Sequence, residues 1–188
     1  MSENKKFDIV RIAGEKIDLC IRRTDEEAFE KYLKWMNDAS INHWIGRFNQ
    51  VVQINDERAW IEKEENGRAF FNIVNKETRE LVGNCDIIPV AGTRNASIGI
   101  CIGEESGRDK GFGTEAVKLL IKFGFENLGC HRIYLHVKAD NDRAIKCYQN
   151  AGFVKCGIMH EVDYYQGKYH DALEMEILEQ SYFKNKED

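Results

Sequence analysis

The sequence is poor in the features that mark several classes of protein. Its 188 residues carry a formal net charge of −5, so no basic excess is available for the phosphates of a nucleic acid. No apolar run approaches the roughly 20 residues that a membrane-spanning helix needs. The one proline, Pro89, falls at the end of a predicted strand, and no two cysteines form a C-x-x-C pair. We therefore expect no nucleic-acid partner, no membrane role and no cysteine metal or redox site.

The six cysteines lie far apart, which favours buried free thiols over disulfides. Residues 1–10 do not resemble a signal peptide, and together these features predict a soluble protein of the reducing cytosol. The histidines show no metal-ligand spacing, so no metal site is expected. The sequence leaves the oligomeric state open, and a homo-oligomer is one alternative.

A content of 43% hydrophobic and 31% charged residues is ordinary for a globular domain. No repeat, linker or low-complexity stretch divides the chain, so a single domain is predicted over residues 1–188. Period-two and helical hydrophobic patterns follow each other, which predicts a mixed α/β order. Strands are expected at residues 17–21, 69–74, 81–90, 96–102, 132–137, 153–162 and 169–178.

Helices are predicted between these strands from their caps and apolar faces. Thr24 and Glu27 form a capping box in which each side chain can satisfy a backbone N–H at a helix start. Asn55 is the expected cap of a second helix that ends at residues 66–67. Apolar residues at helical spacing predict the longest helix at residues 114–128, and a short helix follows at residues 142–150.

A glycine-rich segment at residues 108–114 lies between a predicted strand and the longest helix. Gly111 and Gly113 permit a tight turn and close approach of the backbone to a ligand. The free N–H groups and the positive end of the helix dipole attract phosphate oxygens, so a pyrophosphate would fit. A tight turn that binds nothing is the alternative reading of the same residues.

The same glycines loosely match the dinucleotide fingerprint, as Gly111-x-Gly113-x-x-Ala116. That fingerprint follows its strand directly and has an acidic residue about 20 positions later. Here seven residues intervene after residues 100–103, and the corresponding position holds Ile133. A nucleotide-dependent oxidoreductase is therefore disfavoured.

Two motifs in sequence resemble those of the GNAT family of N-acetyltransferases. The R-x-x-G-x-G arrangement at residues 108–113 resembles the coenzyme-A loop of that family. The N-x-x-A-x-x-x-Y-x-x-x-G-F pattern at residues 141–153 resembles the helix that follows one strand later. The resemblance covers most of the chain and implies an α/β fold with a mixed, mostly antiparallel central sheet flanked by helices. It also implies acetyl-CoA as the acetyl donor.

Within the family, residues 102–105 and 111–116 are similar to ribosomal-protein N-terminal acetyltransferases and spermidine acetyltransferases. Residues 157–161 and 167–172 are especially similar to the spermidine enzymes. Two departures are Ser97, which stands where the branch often has a glutamate, and a loop before Gly111 that is one residue longer. The resemblance implies acetyl transfer to a primary amine, either a protein N-terminus or a small polyamine such as spermidine. A non-catalytic acyl-CoA-binding regulator on the same fold is the alternative.

The resemblance also implies which residues hold the donor. The loop would bind the pyrophosphate, Asn141 would bond the pantetheine arm besides capping its helix, and a strand edge would pair with that arm as an added strand does. A backbone N–H near Cys101 is the expected oxyanion donor. The predicted donor-binding residues are Ile100, Cys101, Ile102, Arg108, Asp109, Lys110, Gly111, Phe112, Gly113, Thr114 and Asn141.

Tyr148 is the predicted general acid. A phenol has a reference pKa of about 10 against about 8.5 for a simple thiol, so it holds a proton that it can give to the leaving thiolate. An isolated tyrosine would read as a core residue, but its place in the helix motif favours catalysis. The Cys101 thiol reads as an ordinary side chain, because direct transfer needs no acyl-enzyme.

The general base is less clearly marked. Asp86 is the acid within the central strands and could take the amine proton directly or through water, although a solvated strand aspartate has the same pattern. Water alone is the other alternative. The family gathers its acceptor around the two early helices and their connection. This region contains His43, Trp44, Glu57, Glu62, Glu64 and Glu65, although a run of charges is usually just a solvated face.

Overall fold

The computed structural model describes residues 8–46, 50–62 and 67–187. Its first half contains β1 (Val10–Ala13), β2 (Ile17–Ile21), α1 (Glu26–Asn37), α2 (Ala39–Asn42), α3 (Ile54–Glu62), β3 (Ala69–Asn75), β4 (Leu81–Pro89) and β5 (Asn95–Ile102). A 3₁₀ turn at Glu105–Gly107 leads into the second half. The elements there are α4 (Phe112–Glu126), β6 (Arg132–Lys138), α5 (Asp142–Asn150), β7 (Val154–Tyr165), β8 (Lys168–Leu178) and α6 (Glu179–Glu187).

Within the described residues, eight strands form one sheet in the order β1-β2-β3-β4-β5-β6-β8-β7. Neighbours are antiparallel except β5 and β6, which run parallel and pair only where residues 95–97 meet residues 132–134. Beyond Ser97 and Tyr134 the two strands have no pairing with each other. The predicted mixed, mostly antiparallel sheet is confirmed, and it is open in the middle.

Helices cover both faces of this sheet because successive strand residues point to opposite sides. On one face, α4 buries Ala116, Leu120 and Ile121 against the strands, as its helical period predicts. On the other face, the Tyr32 hydroxyl of α1 donates a 2.5 Å hydrogen bond to the Asn72 side chain of β3. Trp35 of α1 is fully buried in a second apolar cluster.

The predicted strands are confirmed, with ends that differ by at most three residues, but the helix starts need correction. Asp25, and not Thr24, caps α1: its Oδ1 accepts from the Ala28 N–H at 3.3 Å. Asp25 takes the cap position because Arg23 binds and orients its carboxylate, with Nε donating to Oδ2 at 2.6 Å. Helix α3 begins at Ile54, before the expected Asn55 cap, and its predicted end at residues 66–67 lies partly outside the described residues.

Helix α4 begins two residues before the predicted start at Thr114. Gly111 is its N-cap, so the second half of the glycine loop is already the first turn of the helix. Strand β1, the short α2 and the C-terminal α6 were not predicted from the sequence. Each is short or weakly amphipathic, and each is stabilised by its neighbours in the fold.

All six cysteines are free thiols, as predicted. Cys20, Cys85 and Cys130 are buried, but Cys156 is exposed on the edge strand β7, so the prediction of burial is wrong there. None of the helices among residues 8–46, 50–62 and 67–187 combines the length and the apolar character needed to cross a membrane.

Candidate active site

A cleft of about 880 Å³ opens where β5 and β6 separate. Its walls are β5, the glycine loop with the first turn of α4, the end of β6 and the inner face of α5. The α2 segment and its following turn close one end. Most of the residues predicted for the donor and for catalysis line it: Ile100, Cys101, Ile102, Arg108, Asp109, Gly111, Phe112, Gly113, Thr114, Asn141 and Tyr148. Lys110 and Asp86 do not.

The glycine loop offers backbone donors at a helix start. Gly111 has φ +82°, a left-handed conformation that a side chain would strain, and Asp109 has φ +58°. A Cβ on Gly113 would lie 3.5 Å from the Cys147 sulfur, an ordinary van der Waals contact, so α5 borders the loop here. The N–H groups in the first turn of α4 have no partner within the helix. This loop fits the phosphates of an acyl-CoA donor, which it would hold by backbone N–H groups and the helix dipole.

Hydrogen bonds to the end of β5 and to the β1–β2 turn hold the loop in this conformation. The Arg108 guanidinium donates to the Gly103 carbonyl at 3.2 Å, so it ties the loop back to the end of β5. Glu115 accepts from the Lys16 N–H at 3.0 Å, and the Lys16 ammonium donates to the Lys110 carbonyl at 3.4 Å. Lys110 therefore contributes a backbone group to the loop's support. No sequence motif marked Lys16, which the β1–β2 turn brings in.

The open edge of β5 can receive an extended arm. Ile100, Cys101 and Ile102 pair with β4 on one side, and the other side has no strand partner among the described residues. Backbone groups on that side face the cleft, where an added strand or a pantetheine arm can pair with them. Asn141 lies across the cleft and caps α5, its side-chain oxygen accepting from the Ala144 N–H at 3.1 Å.

Tyr148 lies on α5 with 8% of its surface exposed. Its ring packs edge-on against Phe153, with 5.9 Å between the ring centroids. Burial raises the pKa of its phenol well above the usual range, and Cys147 and Cys101 add to the shift. The group is thus protonated at neutral pH. No residue in the described part of the chain hydrogen-bonds the hydroxyl, and Tyr148 lines the cleft.

Cys101 is nearby on β5 but is a poor nucleophile. Burial raises the pKa of its thiol to about 12, although Arg108 opposes the shift. A thiol with that pKa carries almost no thiolate at neutral pH, and the thiolate is the reactive form. The interpretation of Cys101 as an ordinary thiol is consistent with this environment.

Asp86 is held in an ion pair with Arg68 and is not among the residues that line the cleft. Arg68 donates from Nε to Asp86 Oδ2 at 2.8 Å, and Arg68 Nη2 contacts the same oxygen. The guanidinium also lies 5.0 Å from the Trp60 ring and 5.7 Å from the Phe70 ring. The carboxylate that was one candidate acceptor of the amine proton is therefore engaged by a fixed cation.

Among the described residues of the early segment, an aromatic side chain lines the cleft and none of the acids predicted there does. Trp44 lines the cleft and packs edge-on against His43, with 4.3 Å between the ring centroids. Glu57 is buried, Glu64 and Glu65 lie outside the described residues, and so does the side chain of Glu62.

A charged pair in the lining of the cleft was not predicted from the sequence. The Lys138 ammonium lies 3.2 Å from Asp163 Oδ2, and both residues line the cleft. They lie on different strands, 25 positions apart, so no local pattern could have joined them.

Comparison with known proteins agrees with this geometry. A family model described as "Acetyltransferase (GNAT) domain" matches residues 18–154. A spermidine N(1)-acetyltransferase of Vibrio cholerae is 31% identical over 116 residues, covering 61% of this chain and 66% of that protein, just under two thirds of its length. An uncharacterized N-acetyltransferase p20 of Bacillus licheniformis is 29% identical over 171 residues, covering 87% of this chain and 94% of that protein.

A solved structure supports the fold assignment. The spermidine N-acetyltransferase from Vibrio cholerae in complex with CoA and spermine superposes with a TM-score of 0.76. At 24% identity the superposition covers 89% of this chain and 98% of that one, and it shows the shared fold. Since the family model also spans most of the chain, this protein belongs to the GNAT family of acetyl-CoA-dependent N-acetyltransferases.

Proposed function

We propose that the chain transfers acetyl from acetyl-CoA to a primary amine, on a polyamine such as spermidine or at a protein N-terminus, by direct attack within a ternary complex. The observation that carries the proposal is the continuous cleft that runs from the glycine loop along the open β5 edge to Tyr148. The relatives named spermidine acetyltransferases support an amine acceptor.

Different parts of this cleft have different roles in the proposed reaction. The loop and the start of α4 hold the phosphates, and the β5 edge with Asn141 aligns the pantetheine arm. A backbone N–H near Cys101 stabilises the negative charge that develops on the carbonyl oxygen when the amine attacks. As the N–C bond forms and the C–S bond breaks, Tyr148 donates its proton to the leaving sulfur. The phenolate then recovers a proton from solvent.

The proton released by the amine goes to water in this proposal. Asp86 is a poor acceptor, because Arg68 occupies one carboxylate oxygen and Asp86 is not among the residues that line the cleft. An apolar wall lowers the amine pKa by desolvation, which raises the neutral fraction that can attack. The aliphatic side chains of Ile98 and Ile100 supply such a wall.

The test is release of free thiol from acetyl-CoA, measured with spermidine, spermine, amino acids and short peptides as acceptors. Acceptor-dependent thiol release with a mass increase of one acetyl group on the amine is the expected result. Acetylation of hydroxyl acceptors alone would overturn the proposal. Tight binding of acetyl-CoA without turnover on any acceptor would instead favour a regulatory protein.

A further inference from the structure

The cationic side chains that line the cleft lie mostly at the donor end. Arg108, Arg143 and Lys146 belong to the glycine loop and α5, where an anionic donor would bind. Away from the glycine loop and α5, on β6 and β7, the charged lining residues among those described are Lys138 and Asp163, with His136 beside them. On these two strands Asp163 is the carboxylate that lines the cleft in the described part of the chain. An acceptor that reaches this wall meets the Asp163 carboxylate.

A bulge in β7 places Asp163 in the cleft. Met159 pairs with Ala172 and Asp163 pairs with His170, so four steps along β7 match two steps along β8. The two extra residues turn the strand, and Glu161 takes φ +54° within the bulge. Bulges are used next to active sites to redirect a side chain.

Asp171 holds the bulge from the neighbouring strand. Its carboxylate accepts from the Glu161 N–H at 2.9 Å and lies 3.1 Å from the His160 ring nitrogen. The backbone that carries Asp163 is thus fixed by hydrogen bonds that do not involve Asp163 itself.

The partner of Asp163 is also fixed. The Lys138 ammonium lies 3.9 Å from the centre of the Tyr165 ring, which is a cation–π contact. Tyr165 donates to Asp140 at 2.5 Å and stacks on His170 at 3.5 Å. Lys138 is buried, while the Asp163 side chain is 31% exposed. The accessible member of the pair is therefore the carboxylate, which has a second oxygen available to a ligand.

Asp163 approaches the cleft from the side opposite to the reacting edge. It belongs to β7, which β6 and β8 separate from β5, and neighbouring strands lie about 4.8 Å apart. The attacked carbonyl lies near Cys101 on β5 in the proposed function. A carboxylate at the reacting amine would favour its protonated form, which cannot attack. A carboxylate across the cleft can hold a different nitrogen.

We propose that Asp163 binds a second, positively charged amine of the acceptor and so selects diamines and polyamines over acceptors with one nitrogen. The proposal rests on the proposed function, since it names the acceptor class of the same site. The ion pair with Lys138 and the bulge in β7 position the Asp163 carboxylate. The ammonium of the acceptor then binds to this carboxylate.

The experiment compares kcat/KM for 1,4-diaminobutane and 4-amino-1-butanol, two acceptors of equal length that differ in the charge of the far group. The wild-type chain should prefer the diamine by about 10- to 100-fold, the range for one hydrogen bond to a charged group. Asp163→Asn should remove most of this preference through a rise in KM for the diamine. Glu77→Gln, at an exposed acid in the β3–β4 turn that does not line the cleft, should leave the preference unchanged.

The readout is a ratio of two acceptors on one preparation, so loss of folded protein in a variant cancels. An unchanged ratio in Asp163→Asn, or equal loss for both acceptors, would overturn the assignment of Asp163. A wild-type chain that acetylates both acceptors equally would also overturn it and leave the proposed function standing. A chain that acetylates no amine would overturn both.

Discussion

Arg68 and Asp86 form an ion pair beside the Trp60 ring of α3, with the guanidinium Nε 2.8 Å from the carboxylate Oδ2 and the side chains only 13% and 11% exposed. The pair joins the start of β3 to the middle of β4. Its position decides how the one acid predicted as a catalytic base should behave on substitution.

We expect Asp86→Asn to affect stability more than turnover. Breaking a fully buried pair costs roughly 3–5 kcal/mol in the free energy of unfolding, and the partial exposure here places the loss below that range. Urea unfolding should show this loss, and Arg68→Met/Asp86→Asn should recover part of it because no charge is left unpaired. A fall in kcat of about 10²- to 10⁴-fold at unchanged stability would restore Asp86 as the base.

Gly111→Val should weaken binding of CoA. Valine at φ +82° strains the start of α4 by about 1–3 kcal/mol and displaces the N–H groups that we propose bind the phosphates. Gly92→Val is the matched control, because Gly92 has φ +74° in a turn with no atom within 4 Å of an added Cβ and does not line the cleft. Calorimetric titration should show weaker binding for Gly111→Val only. Equal affinities would remove the phosphate role of the loop.

Tyr148→Phe should lower kcat by about 10²- to 10⁴-fold and leave CoA affinity nearly unchanged, provided that chemistry limits turnover. The acid must be protonated, so its contribution is present at low pH and is lost as pH rises through its pKa. Burial raises that pKa, so the wild-type kcat should not lose this contribution below pH 10. Tyr169→Phe, an exposed tyrosine, is the control. Wild-type turnover in Tyr148→Phe would exclude the role.

The free energy of unfolding should fall as pH rises above about 9. Burial raises the pKa of the Cys20 thiol to about 11 and of the Cys101 thiol to about 12, above the value of an exposed thiol. Both thiols keep their protons in the folded chain while the unfolded chain loses them, so their stabilisation is complete below pH 9 and is lost through pH 11 to 12. Each contributes at most about 1.4 kcal/mol per pH unit.

Urea unfolding at pH 8 and pH 10 measures the slope of the free energy of unfolding against pH. Cys20→Ala should make it shallower, because alanine has no proton to lose. A slope that is equal in wild type and Cys20→Ala would contradict the assignment to this thiol.

The amino-acid sequence by itself determined the elements whose signal is local. Period-two runs placed the strands β2 to β8 to within three residues, and the spacing of Ala116, Leu120 and Ile121 placed α4. The position of Asn141 as a helix cap and the left-handed Gly111 also follow from local chemistry. Each depends on residues within one or two turns of one another, so a linear pattern contains the information.

The tertiary structure alone decided the contacts between residues distant in sequence. Thr24 and Asp25 are both good N-cap residues, and the hydrogen bond from Arg23 to the Asp25 carboxylate favours Asp25. Asp86 was a candidate base by its place in a central strand, and only strand pairing brings Arg68 close enough to form an ion pair with it. Asp163 reaches the cleft only because two extra residues bulge β7. Charges of this kind depend on strand order and register, which are set by the packing of the whole sheet and not by any one segment.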